Sequence, residues 1–105
     1  MDDVLVNLEV LFESPQTLGI TAPEEWYRLL KEHGYKVKPL SDGKFKGVAY
    51  EQGGGFKVNW DGKGGASIFQ YHPAEMSHHD SAYYKLSNGT YGKRRYNLFG
   101  NPIFE

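Results

Sequence analysis

Phe56 to His72, FKVNWDGKGGASIFQYH, reads as two strands and the turn between them. Phe56, Val58 and Trp60 alternate with Lys57 and Asn59, Asp61 to Gly65 supplies a tight reversal, and Ile68 to His72 runs on until Pro73 stops it. A period of two makes one face apolar and the other polar. The pair therefore predicts an antiparallel sheet with one side packed and one side free for chemistry.

Working outward, His79 to Leu86 predicts a third strand, Ser87-Asn88-Gly89 a turn, and Arg94 to Phe99 a fourth strand closed by Gly100-Asn101-Pro102. Upstream, Gly53-Gly54-Gly55 precedes a strand and not a helix, so it is no phosphate-binding loop. It predicts a bend where backbone passes close to another element. Phe45 to Glu51 fits a strand or an ordered loop, Ser41 to Lys44 a turn, and Tyr35 to Leu40 a short extended segment.

Before these, residues 21–34 predict a helix. Thr21-Ala22-Pro23-Glu24 is a capping box with proline in the first turn, Trp26, Leu29, Leu30 and His33 follow at helical spacing, and Gly34 ends it. His33, in the last turn, fits a capping or packing role better than a ligand role. Residues 4–12 suit two templates. Val4, Leu5, Leu8, Leu11 and Phe12 make a helical stripe capped by Asp2 or Asp3, while Val6, Leu8, Val10 and Phe12 alternate; the helix is preferred.

The expected fold is α+β: an N-terminal segment (1–20), a helix (21–34) and a roughly four-stranded antiparallel sheet (45–100) within one domain spanning 1–105. Eight tyrosines, six phenylalanines and two tryptophans mean that rings fill much of the core. A net charge of −1 gives no overall field toward nucleic acid or lipid, so any such contact must come from local clustering. Acidic residues dominate the first third, and Lys85, Lys93, Arg94 and Arg95 gather late. With no cysteine, disulfides, thiolate metal sites and cysteine nucleophiles are excluded. No apolar run is long enough to span a membrane and no secretion signal opens the chain, so export would be arranged from outside it.

Alternation assigns faces. If Phe56, Val58, Trp60, Phe69, Tyr71, Ala82, Tyr84, Leu86, Tyr96 and Leu98 point inward, the outer face carries Lys57, Asn59, Gln70, His72, His79, Ser81, Tyr83, Lys85, Arg95 and Asn97. His78 and His79 cannot share that face, and parity prefers His79. Such a face holds what RNA cleavage needs. An imidazole takes the 2′-hydroxyl proton, a second acid protonates the leaving oxygen, Lys or Arg stabilises the phosphorane, and a tyrosine stacks a base or donates its hydroxyl. The 2′-hydroxyl is itself the nucleophile, so no cofactor is called for. Solubility alone also makes sheet faces polar, and a basic run is often only a solvated hairpin.

Zinc held by His72, His78 and His79, with Asp80 as a further ligand or as an orienting group, is disfavoured because adjacent histidines diverge on a strand. Ser77, Ser81 and Ser87 lie in no Gly-x-Ser-x-Gly elbow.

The strings GGGFKVNW, IFQYHP and SHHDSAYYKLSNGTYGKRRYNL resemble the C-terminal toxin domains of bacterial polymorphic and contact-dependent toxins. The likeness covers about Pro23 to Leu98 and is to the barnase, EndoU, colicin and RelE-like ribonuclease group. It implies a helix followed by a four-stranded sheet, a metal-independent ribonuclease, and a cognate immunity protein that blocks the active face. Carried over by position, it casts His72 and His79 as acid and base, Lys85 and Arg95 as stabilisers of the phosphate or transition state, and Tyr83 as a substrate contact. Lys57, Asn59, Gln70, His78 and Arg94 complete the expected substrate-binding set. Where the group tends to have glycines after the double histidine, Asp80-Ser81 stand here, which fits Asp80 orienting His79.

The expected protein is thus a monomeric toxin domain. It would be carried in a larger secreted effector and act on tRNA or another structured RNA in the target-cell cytoplasm. A metal-dependent DNase toxin and a non-enzymatic glycan- or protein-binding module are the rivals.

Overall fold

Hairpin chemistry builds the sheet. In the computed structural model, which describes residues 8–41, 43–62, 65–74 and 82–103, five strands follow in sequence order: β1 (Val37–Lys38), β2 (Phe56–Gly62), β3 (Gly65–His72), β4 (Tyr83–Asn88) and β5 (Gly92–Asn97). Each pairs antiparallel with the next, giving a meander in the order β1-β2-β3-β4-β5. Gly62 pairs with Gly65 at the first hairpin and Asn88 with Gly92 at the last. In the second turn the Asn88 side-chain oxygen accepts from the backbone N–H of Thr90 and Tyr91, at 3.0 and 2.7 Å, and Gly92 takes φ 73°.

The expected α+β class holds, with helices ahead of an antiparallel sheet, and among the described residues that sheet has five strands where roughly four were expected. The extra one is β1, whose Val37 and Lys38 pair with Val58 and Lys57. Strand limits shift as well. β4 runs through Ser87 and Asn88, which were expected to turn, and β5 begins at Gly92 and stops before Leu98. Gly43 to Gly47 is turn, and Tyr50–Gln52 is a short 3₁₀ helix.

Upstream lie α1 (Val10–Glu13), a 3₁₀ segment (Pro15–Ile20) and α2 (Pro23–Glu32). Within the described part of the N-terminal stripe the helical template prevails, as a single turn that buries Leu11 and Phe12. The capping box is absent: Ala22 is the N-cap, no side chain caps it, and Thr21 is extended. Proline at the first helical position sets the start instead, because its φ is already helical and its missing N–H is no loss there. The other end is as the sequence predicts. Gly34, at φ 88°, lets its own N–H reach the Lys31 carbonyl (3.1 Å) and the Tyr35 N–H reach the Leu30 carbonyl (3.1 Å), the paired bonds of a Schellman stop.

The core lies between these helices and one sheet face. Leu8, Leu11, Phe12, Leu18, Trp26 and Leu30 pack on Phe56, Val58, Phe69, Tyr84, Leu86 and Tyr96, all buried. Trp26 stands edge-on to Phe69 at 5.5 Å, and its indole N–H donates to the Leu18 carbonyl at 3.1 Å. Gly53 to Gly55 makes the close approach its composition predicts. Gly53 has φ 96°, and a Cβ on Gly55 would sit 2.1 Å from the Tyr71 carbonyl oxygen. No helix among the described residues is long and apolar enough to cross a membrane.

Candidate functional site

Register fixes which polar side chains share the face turned away from the helices. Lys38 pairs with Lys57, Lys57 with Gln70, Gln70 with Lys85 and Lys85 with Arg95, so one row crosses the whole sheet. Cross-strand steps of about 4.8 Å give that row a length of about 19 Å. Four of its five residues are cations. The next row holds His72, Tyr83 and Asn97, again as successive partners. Two residues further the other way, Ile68 pairs with both Asn59 and Ser87, and Ser87 with Lys93. Among the described strand residues the one carboxylate is Asp61, at the far end of β2.

His72 and its neighbours form the densest chemistry on this face. The imidazole lies parallel to the Tyr83 ring, 4.8 Å between centroids and 1° between planes, and the Arg95 guanidinium carbon lies 5.9 Å from the same ring. His72 Nε2 is 2.6 Å from the Gln70 Oε1. That contact ties the imidazole to its own strand, two residues back. The arrangement offers a histidine held by Gln70 and Tyr83 beside a row of cations. That combination can move a proton next to a bound anion.

The structure thus puts His72, Tyr83, Lys85, Arg95, Lys57, Asn59 and Gln70 on one face. Their positions along it differ. Asn59 is four residues along the strands from the His72 row, about 13 Å away. Lys57 donates to the Ser41 hydroxyl, which draws it toward the β1 side.

Tyr83 and Arg94 are placed differently from the rest. Tyr83 has the outward parity but is only 7% exposed, because imidazole and guanidinium lie against it. Its ring stacks on that of His72. Arg94 is on the opposite face: it pairs with Leu86, its guanidinium lies 5.6 Å from the Tyr91 ring, and its Nε donates to the Tyr91 carbonyl at 3.3 Å. Alternation forbids it from joining its neighbour Arg95. His78, His79, Asp80 and Ser81 lie outside the described residues.

Sequence reasoning missed Lys38, since a two-residue strand carries no period. It also missed a cavity of about 710 Å³ at the end of the sheet, on the helix side, walled by Tyr27, Tyr50 and Tyr71 with Glu24 and Glu51. Tyr27 stacks on Tyr50 at 4.5 Å and its hydroxyl donates to Glu51 at 2.7 Å. That bond holds the Glu51 carboxyl below its ordinary range. Burial first, then Tyr71, Glu24 and Tyr27, raise the Tyr50 hydroxyl. Among the described residues no group of three or more His, Asp and Glu side chains gathers as a metal site would require. Comparison with family models, curated proteins and solved structures returns no match.

Proposed function

We propose that this chain is a metal-independent endoribonuclease domain of the bacterial polymorphic or contact-dependent toxin type. It would be carried into a target cell's cytoplasm by a larger secreted effector and neutralised by a cognate immunity protein. The observation that carries the reading is the cationic row Lys38–Lys57–Gln70–Lys85–Arg95 lying one register step from the His72–Tyr83 pair. A row of this length lets an extended strand lay successive phosphates along it, and its middle, at Gln70, brings one phosphate beside an imidazole.

The proposed chemistry uses these side chains together with His79. A histidine, His72 or His79, accepts the 2′-hydroxyl proton as O2′ attacks phosphorus. Lys85 and Arg95 stabilise the charge that builds on the non-bridging oxygens. The bond from phosphorus to the 5′-oxygen breaks, that oxygen takes a proton from the other histidine, and a 2′,3′-cyclic phosphate remains. Tyr83 and Gln70 keep the His72 ring in place. The chain's net charge of −1 makes affinity for random RNA weak and salt-sensitive, which favours a structured substrate such as tRNA. Charge complementarity to the same row gives the immunity protein an acidic contact surface.

The test is cleavage of total bacterial RNA, with chelator present, by wild type, His72→Ala and His79→Ala. Discrete products from wild type, lost in both variants, are expected. Intact RNA in every lane, or cleavage that survives both substitutions, would overturn the reading.

A further inference from the structure

The cavity on the helix side of the sheet is chemically opposite to the cationic row. Its walls are the rings of Tyr27, Tyr50 and Tyr71, and its charged rim is Glu24 and Glu51. Arg28 also borders it, but the guanidinium is committed to Glu25 and Glu32, with Nη1 to Glu32 at 2.9 Å. Lys31 stands 3.9 Å from Glu51 and 4.8 Å from the Tyr27 ring centroid, which partly answers Glu51. No cation is within ion-pair distance of Glu24 among the described residues. Behind Tyr71, its cross-strand neighbour Tyr84 is fully buried, and its hydroxyl has no hydrogen-bond partner among the described residues. At Gly53 a Cβ would meet nothing within 4 Å, so that wall is bare backbone facing open space.

We infer that this cavity binds an organic cation, a guanidinium or ammonium on a flexible stem, with the charge on Glu24 and Glu51 and the stem along the tyrosines. Aromatic faces attract cations through their quadrupole, and carboxylates supply the ion pair that a bare aromatic box lacks. Lys31 over Tyr27 shows the same pairing within the chain. The volume of about 710 Å³ exceeds one side chain, so it admits an extended polyamine or an arginine-bearing segment of a partner protein. Two carboxylates and no uncommitted guanidinium make it a poor place for a phosphate.

Titration calorimetry of the intact chain with arginine amide, citrulline amide, spermidine, a short arginine-containing peptide and guanosine monophosphate tests this. Arginine amide should bind and citrulline amide, which has the same shape without the charge, should not. Glu24→Gln should weaken arginine amide about fivefold, the worth of one close ion pair in water. Glu13→Gln, which removes the same charge from the exposed end of α1, should leave it unchanged. Tighter spermidine would assign the site to free polyamines, and tighter peptide to a protein partner. Equal binding of citrulline amide, equal losses in the two variants, preference for guanosine monophosphate, or no cation bound by wild type would each overturn the inference. None of these results depends on ribonuclease activity.

Discussion

Replacing Tyr84 by phenylalanine should stabilise this protein, the reverse of what a buried tyrosine usually does. Tyr84 is fully buried, its ring packs 5.6 Å from Phe69 and 6.0 Å from Tyr71, and its hydroxyl has no partner among the described residues. An unsatisfied buried hydroxyl costs about 1–3 kcal/mol, which Phe removes while keeping the ring. The void left is about 15 Å³, and at about 24 cal/mol per Å³ it costs about 0.4 kcal/mol. The net gain is about 1–2 kcal/mol, and each kcal/mol raises the melting temperature of a domain this size by about 4–8 °C. Burial also raises the hydroxyl's pKa above its ordinary 10.0. A group held neutral in the fold contributes its stability in full below pH 10.0 and loses it as pH rises toward the folded value, so the advantage of Phe grows in alkali. Urea unfolding followed by Trp26 fluorescence at pH 7 and above pH 10 reads both effects. A loss of about 1 kcal/mol at pH 7 would instead show that the hydroxyl has a hydrogen-bond partner in the folded protein.

Neighbouring arginines should behave differently: Arg95→Ala should lower RNA cleavage at least tenfold and Arg94→Ala should leave it within about twofold, by initial rates at equal protein, since only Arg95 is on the cationic face. Lys38→Ala should weaken RNA binding to a cleavage-dead His72→Ala background and reduce the slope of log affinity against log salt by about one, measured by filter binding. Gly55→Ala should cost about 2–3 kcal/mol by urea unfolding, because its Cβ would lie 2.1 Å from the Tyr71 carbonyl oxygen and 2.7 Å from Leu40 Cδ1.

Much of this fold is written in its alternation. Phe56, Val58, Phe69, Tyr84, Leu86 and Tyr96 are the inward set that parity demands, and once they are in, Lys57, Gln70, Lys85 and Arg95 have only one face left. Gly34 ends its helix for a reason local to three residues, so it too is legible. What parity cannot give is cover. It directs Tyr83 outward, yet long-range pairing sets His72 beside it and Arg95 above it, and the ring is buried. A basic run invites reading as one patch, but Lys93, Arg94 and Arg95 divide between two faces. Thr21 and Glu24 have the spacing of a cap, and Pro23 between them fixes the helix start without it. Tyr27, Tyr50 and Tyr71 come from α2, the Tyr50–Gln52 turn and β3, so no sequence period could have assembled their cavity.

The same limits shape the functional account. Register alone brings the cationic row to His72, and the proposed ribonuclease does its chemistry at the 2′-hydroxyl rather than at water. The ends left on cleaved RNA report that choice directly. RNA digested by wild type in chelator should carry 2′,3′-cyclic phosphates and 5′-hydroxyls, and a substrate with 2′-deoxyribose at the cleavage site should stay whole. Products with 5′-phosphates, or cleavage that proceeds without the 2′-hydroxyl, would contradict it.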